Sequence, residues 1–423
     1  MTATEPPNAT HRAVEAVWRI ESARLIAGLA RLVRDVGLAE ELAQDALVVA
    51  LEQWPKAGVP VDPGPWLMAT AKHRAIDLLR RQERYAAKLA LLGRDVELRE
   101  YADPELGAAL DDHIGDDLLR LIFTAAHPVL STEAKVALTL RLLGGLTTGE
   151  IARAFLIPES TAAQRIVRAK RALTTAGVQF EMPTPSEMAD RLSSVLEIIY
   201  LIFNEGYSAT GGEDWARPGL CQEALRLGRI LAGLLPAEPE VHGLVALMEI
   251  QASRLHARTD TAGNPVLLLD QDRRRWDRLL IRRGLEALDR AETLGGGVYT
   301  LQAAIAACHA RAILPGHTDW ARIAALYEVL AFIQPSPVVM LNRAVAVGMA
   351  GDPARGLDLA DALAGERALK DYPQLPAVRG ELLAQLGRRE EARAQFERAA
   401  ELTGNEGERT LFLKRAHALQ EPS

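Results

Sequence analysis

Two groups of cations at three- and four-residue spacing are the parts of this 423-residue chain equipped to hold phosphates or read base edges. In residues 66–84 (WLMATAKHRAIDLLRRQER), Thr70, His73, Arg74, Asp77, Arg80, Arg81 and Arg84 fall on one helical face, with Lys72 adding charge and Trp66 at the head of the segment. In residues 147–171 (TTGEIARAFLIPESTAAQRIVRAKR), Gln164, Arg165, Arg168 and Arg171 line up in the same way. A guanidinium pairs with guanine or phosphate through two parallel hydrogen bonds, and a glutamine amide pairs with adenine.

Local charge separates these segments from the rest of the chain. Residues 72–88 carry six bases against Asp77 and Glu83, a balance of +4, and residues 159–171 carry four bases against Glu159, a balance of +3. Between them, residues 95–117 carry nine acids against Arg99. With a net charge of -7 overall, any contact with nucleic acid is confined to two local patches.

The elements that must position these side chains are helical. Ala, Leu, Arg and Glu dominate, aromatics are 5% and β-branched runs are few, which predicts an all-α fold, and the length predicts two to four domains. Residues 13–54 read as two or three helices, and the four prolines and two glycines of residues 55–65 read as a loop. In the first basic helix Leu67, Met68, Ala71, Ala75, Leu78 and Leu79 form the apolar stripe. The second basic segment reads as a helix-turn-helix: Thr147 caps a short helix, Ile157 and Pro158 turn the chain, and residues 160–173 form a helix whose Ala163, Ile166 and Val167 are placed to face the core. The domain limits expected are 10–92, an acidic linker at 93–117, 118–177, and a C-terminal helical region at 186–420.

The C-terminal region has repeat character. Gly380, Gly387, Ala392, Phe396 and Ala399 stand at tetratricopeptide offsets, Ala344, Gly351, Gly356, Ala360 and Leu363 repeat them, and Ala224, Gly228, Leu231 and Pro236 suggest another copy. An unrelated helical bundle is the other reading of this region. The loop at residues 204–212, with Tyr207, reads as a structural turn or a contact site, and Arg273, Arg274, Arg275, Arg278, Arg282 and Arg283 read as a solvated or ion-paired helix face. There is no phosphate loop, metal-ligand spacing or nucleophile elbow, which argues against an enzyme; His242, His256 and His309 are scattered. Two cysteines make no disulfide framework, and no signal pattern or membrane-length apolar run is present, so a cytoplasmic protein is expected.

Residues 131–173 resemble region 4 of bacterial sigma factors, and residues 39–84 resemble region 2 of the extracytoplasmic-function (ECF) group. The resemblance covers residues 13–175, and the absence of recognisable regions 1 and 3 fits that group. It implies a dissociable subunit of RNA polymerase that directs promoter recognition and opening, with no cofactor. By position it assigns Glu41, Gln44 and Asp45 to docking on the core RNA polymerase, and these three share one helical face. It assigns Trp66, Lys72, His73, Arg74, Arg80 and Arg81 to the −10 promoter element, where a base is captured and phosphates are held. Trp66 is equally placed to be a core ring. The −35 element falls to Thr161, Gln164, Arg165, Arg168 and Arg171. The chain departs from many relatives at His73, where Asn is frequent, at Ala163, where a base is frequent, and at Val167, where His or an aromatic is frequent.

The long remainder resembles the extension of one ECF subgroup that carries a tetratricopeptide-like domain, through segments such as IYLIFNEGYSATGG (199–212), LLLDQDRRRWD (267–277), YTLQAAIAACHA (299–310) and PSPVVMLNRAVAV (335–347). Members of that subgroup are often associated with small YCII-like proteins and lack an obvious membrane anti-sigma partner. The resemblance therefore implies that the extension itself regulates, by an intrachain contact with the sigma modules or through a YCII-like protein. The competing reading is a helical adaptor that uses the first two modules only as a DNA anchor, against which the triad Glu41, Gln44 and Asp45 speaks.

Overall fold

Alanine and leucine at helical spacing run through almost every segment, and the computed structural model, which describes residues 9–91, 114–155, 157–207, 218–260, 266–404 and 406–419, contains helices and no strand among those residues. Most of the acidic linker (93–113) and the end of the Tyr207 loop (208–212) lie outside them. The chain divides into two compact units, Met1–Ile199 and Tyr200–Ser423.

In the first unit α1 (Ala9–Val33) packs along α2 (Val36–Ala57) and α3 (Pro63–Leu91). The link between α1 and α2 is short: Arg34 takes a left-handed φ of 52°, and the Asp35 carboxylate caps α2 by accepting from the Leu38 N–H at 2.9 Å. The loop expected at 55–65 shrinks to residues 58–62. α2 runs through Pro55 to a Gly58 cap with φ 85°, and α3 starts on Pro63, where a missing N–H costs nothing because the first turn has no acceptor for it. Among the described side chains of α3 the buried positions are Leu67, Ala71, Ala75 and Leu79, a strict four-residue stripe, with Met68 and Leu78 at its half-buried margin.

α4 (Ile114–Ala125), α5 (Thr132–Leu142), α6 (Thr148–Ala154) and α7 (Glu159–Thr175) follow, and α8 (Met188–Tyr207) begins in this unit. The last residues of the expected linker, Ile114 to Asp117, already belong to α4. Asp117 is buried there, with Arg120 at 2.6 Å and Arg31 of α1 at 3.5 Å. Thr147 caps α6 as expected and does so in a reciprocal box: the Glu150 N–H donates to Thr147 Oγ1 at 3.1 Å and the Thr147 N–H to Glu150 Oε2 at 2.8 Å.

The second unit is a run of antiparallel helices: α9 (Pro218–Leu234), α10 (Pro239–Ala252), α11 (Arg278–Thr293), α12 (Val298–Arg311), α13 (Trp320–Ile333), α14 (Pro337–Met349), α15 (Pro353–Asp361), α16 (Gln374–Gln385), α17 (Arg389–Leu402) and α18 (Glu406–Ala418). The small residues of the repeat reading sit where paired helices cross. A Cβ on Gly380 of α16 would lie 3.2 Å from the Phe396 ring and the Ala392 carbonyl of α17, and Gly387 makes the turn between the two helices with φ 76°. α14 and α15 repeat the arrangement through Ala344, Gly356 and Ala360. Ala224 and Leu231 of α9 are likewise buried.

Candidate nucleic-acid interface

The helix-turn-helix is built so that α7 buries one stripe and frees the rest. Ala162, Ile166, Ala169 and Leu173 are buried, a 4-3-4 pattern that fixes which face is inward. Val167, expected to face the core, is 63% exposed, because it lies about 100° around the helix from Ile166. Ala163 is half-buried. Gln164, Arg168 and Arg171 are exposed and Thr161 and Arg165 half-buried, so the five sequence-predicted residues flank an outward Val167. Arg165 also faces α5. Glu133 there is held below the usual carboxylate range first by its own N–H, then by the Ser131 hydroxyl, with Arg165 as a smaller contributor.

On α3, His73, Arg74, Arg80, Arg81 and Arg84 are exposed and Lys72 is half-buried. Trp66 is half-buried, its ring meeting the buried Trp54 ring edge-on at 5.3 Å between centroids. It is thus partly anchored in the core of the first unit. Arg74 is paired with Asp45 of α2 at 2.7 Å, so one residue expected at DNA and one expected at polymerase are neighbours.

Glu41 and Asp45 are exposed on α2, and Val48 (50% exposed) and Glu52 continue the same line at i+7 and i+11. Leu51, 36% exposed, adds apolar area beside them. Gln44 is half-buried and donates through Nε2 to Glu40 Oε1. Sequence reasoning missed Val48 and Leu51, although two aliphatic residues outside the buried stripe of an amphipathic helix are themselves a signal.

Glu40 was missed as well. It is 2% exposed, accepts from Arg141 Nε of α5 at 2.5 Å and is ion-paired through its other oxygen with Lys170 of α7. Asp35 accepts from Thr174 Oγ1 of α7 at 3.2 Å, and Arg19 of α1 pairs with Glu150 at 2.8 Å. These contacts hold α1 and α2 against the helix-turn-helix. The signal was present: Val36, Glu40 and Ala43 form one stripe, and a carboxylate in an apolar stripe needs a buried cation.

The arginines at 273–283 divide. Arg273 is buried, donating to the His309 and Ala312 carbonyls at 2.7 and 2.6 Å and to Thr318 Oγ1 at 3.1 Å, so it is a strut and not part of a solvated face. Arg274 pairs with Asp272 at 2.9 Å, and Arg282 lies 3.9 Å from Glu286, as the ion-paired reading expects. Asn204 and Tyr207, read as a loop, end α8; Tyr207 stacks on Phe203 and carries the Arg258 guanidinium 3.6 Å above its ring. Among the described residues no group of three or more His, Cys, Asp or Glu is arranged to hold a metal, and no helix is long and apolar enough to cross a membrane.

Residues 20–85 match sigma-70 region 2, residues 120–173 match sigma-70 region 4, and residues 191–292 match a family of unknown function, DUF6596. An uncharacterized protein of Rhizobium meliloti (strain 1021) is 46% identical over 399 residues, with 93% of each chain covered.

Proposed function

Because the chain belongs to the ECF-type sigma factors that carry a C-terminal extension, and so has a role in transcription initiation, we propose that it binds core RNA polymerase and directs it to promoters through α3 and α7 while its extension regulates or supports that activity. The observation that carries this reading is α7, the second helix of a helix-turn-helix with Thr161, Gln164, Arg165, Arg168 and Arg171 clear of its buried stripe. These residues read the −35 element. Trp66, Lys72, His73, Arg74, Arg80 and Arg81 hold the −10 element, with Trp66 offering its half-buried ring to an unstacked base.

The two promoter elements are about 25 base pairs apart, roughly 85 Å at about 3.4 Å per base pair. A folded unit of about 200 residues has a radius of gyration of about 16 Å and is about 40 Å across. Both faces therefore reach their elements only when the Glu40 contacts with Arg141 and Lys170 open. Residues 10–92 and 118–177 act as the DNA-contacting domains, joined through 93–117, whose last four residues open α4, and 186–420 act as the regulatory region, which works by an intrachain contact or with a YCII-like partner. The protein acts in the cytoplasm, beside the polymerase, and catalyses no step itself.

Polymerase docking is assigned to Glu41, Gln44 and Asp45, extended by Val48. Glu41→Lys combined with Val48→Asp changes two exposed side chains and leaves the buried stripe of α2 intact. The double variant is expected to lose core polymerase in a pull-down, at least about tenfold, which corresponds to about 1.4 kcal/mol. Undiminished capture by the folded variant refutes the docking assignment.

A further inference from the structure

The second unit holds a cavity of about 530 Å³, within the range that encloses small molecules, among α8, α10, α12, α13 and α14. Its walls carry aliphatic side chains together with Tyr200, Gln251, Arg254, Gln302, His309 and Asn342. No carboxylate lines it among the described residues, and Arg254 is its one side chain with a fixed charge. Arg254 is 9% exposed. The Tyr207 and Trp276 rings each lie 5.8 Å from its guanidinium, and its Nε has no acceptor. His309 on the same wall is 8% exposed, its ring edge-on to Trp320, and its Nδ1 is also without a partner. Burial first, then the charges of Arg254 and Arg273, hold the imidazole neutral down to about pH 3.

Aromatic contacts alone account for a guanidinium that stiffens a core. They do not account for a guanidinium set on the wall of a cavity whose described lining offers it no carboxylate. A buried cation with no carboxylate beside it among the described residues asks for a negative charge. We propose that this cavity binds a small organic molecule bearing one oxyanion, carboxylate or phosphate, with Arg254 pairing the anion and the amide, phenol and aliphatic walls holding the body. The amides of Gln251, Gln302 and Asn342 give that body both donors and acceptors.

The site is tested on the full-length chain by calorimetric titration with phenyl phosphate, benzoate and, as the neutral control, benzamide, a readout that does not involve transcription. The expected result is saturable binding of at least one anion, with benzamide about tenfold weaker or more. Phenyl phosphate alone marks a phosphate site and benzoate alone a carboxylate site. Arg254→Gln is expected to erase the preference for the anion. Should that variant fail to fold, Asn342→Trp, an exposed position on the cavity wall, fills the space without touching the core and is expected to abolish binding at an unchanged melting temperature. No saturable binding of either anion, or unchanged binding in the folded variants, overturns the proposal.

Discussion

Replacing both Arg168 and Arg171 with glutamate is expected to weaken promoter binding by the reconstituted holoenzyme at least about 100-fold. Both side chains are exposed on α7, outside the Ala162, Ile166, Ala169 and Leu173 stripe, so the fold has no stake in their charge. Arg165 is the poorer choice, since its reversal would set a carboxylate near Glu133. A lost arginine contact to a base or phosphate costs about 1–3 kcal/mol, and reversal adds repulsion from the phosphates, so two sites together exceed about 3 kcal/mol. The slope of log affinity against log salt should fall by about 2, because two counterion-releasing contacts are gone. Fluorescence anisotropy across a salt series checks both numbers, with polymerase capture as the control that should not change. Equal affinity and slope in the variant would mean that α7 does not meet DNA.

Glu40→Ala is expected to open the first unit. The Glu40 carboxylate receives Arg141 and Lys170, themselves 18% and 20% exposed, and removing it leaves two cations facing each other in a partly buried contact. Breaking a buried pair from one side costs about 3–5 kcal/mol, and here the cost falls on the closed arrangement, since an open one lets both cations reach water. At about 1.4 kcal/mol per tenfold change, the population of the open form rises by about 100-fold or more. Hydrogen exchange should quicken along α5 and α7 while α3 stays protected, and promoter affinity should rise, opposite in sign to the α7 variant. Unchanged exchange in α5 and α7 would contradict the closing role given to Glu40.

How much of this was legible depended on whether one helix or two decided the outcome. The stripe of α3 and the cap at Thr147 are properties of a single helix, and the residues alone placed them correctly. α7 shows the limit. Ile166 and Val167 are both aliphatic, and only the packing of α7 on α5 and α6 decides that Ala162, Ile166 and Ala169 turn inward. The loop at 55–65 was overread because proline was treated as a breaker wherever it stands, whereas the first turn of α3 accommodates it. The burial of Glu40 in an apolar stripe was legible, but its partners, like those of Arg273, were not. Their partners are 101, 130 and 36 to 45 residues away, and local sequence does not say which distant cation or carbonyl a buried charge will meet. The repeat glycines were legible because close crossings and tight turns leave few other choices.

The measurement that bears most directly on the central claim is run-off transcription by purified core RNA polymerase on genomic DNA, with and without the full-length protein, reading the 5′ ends of the transcripts. New start sites that appear with the protein, share an upstream sequence and vanish with Arg168→Glu and Arg171→Glu are the predicted result. A set of 5′ ends identical to that of core polymerase alone would contradict it.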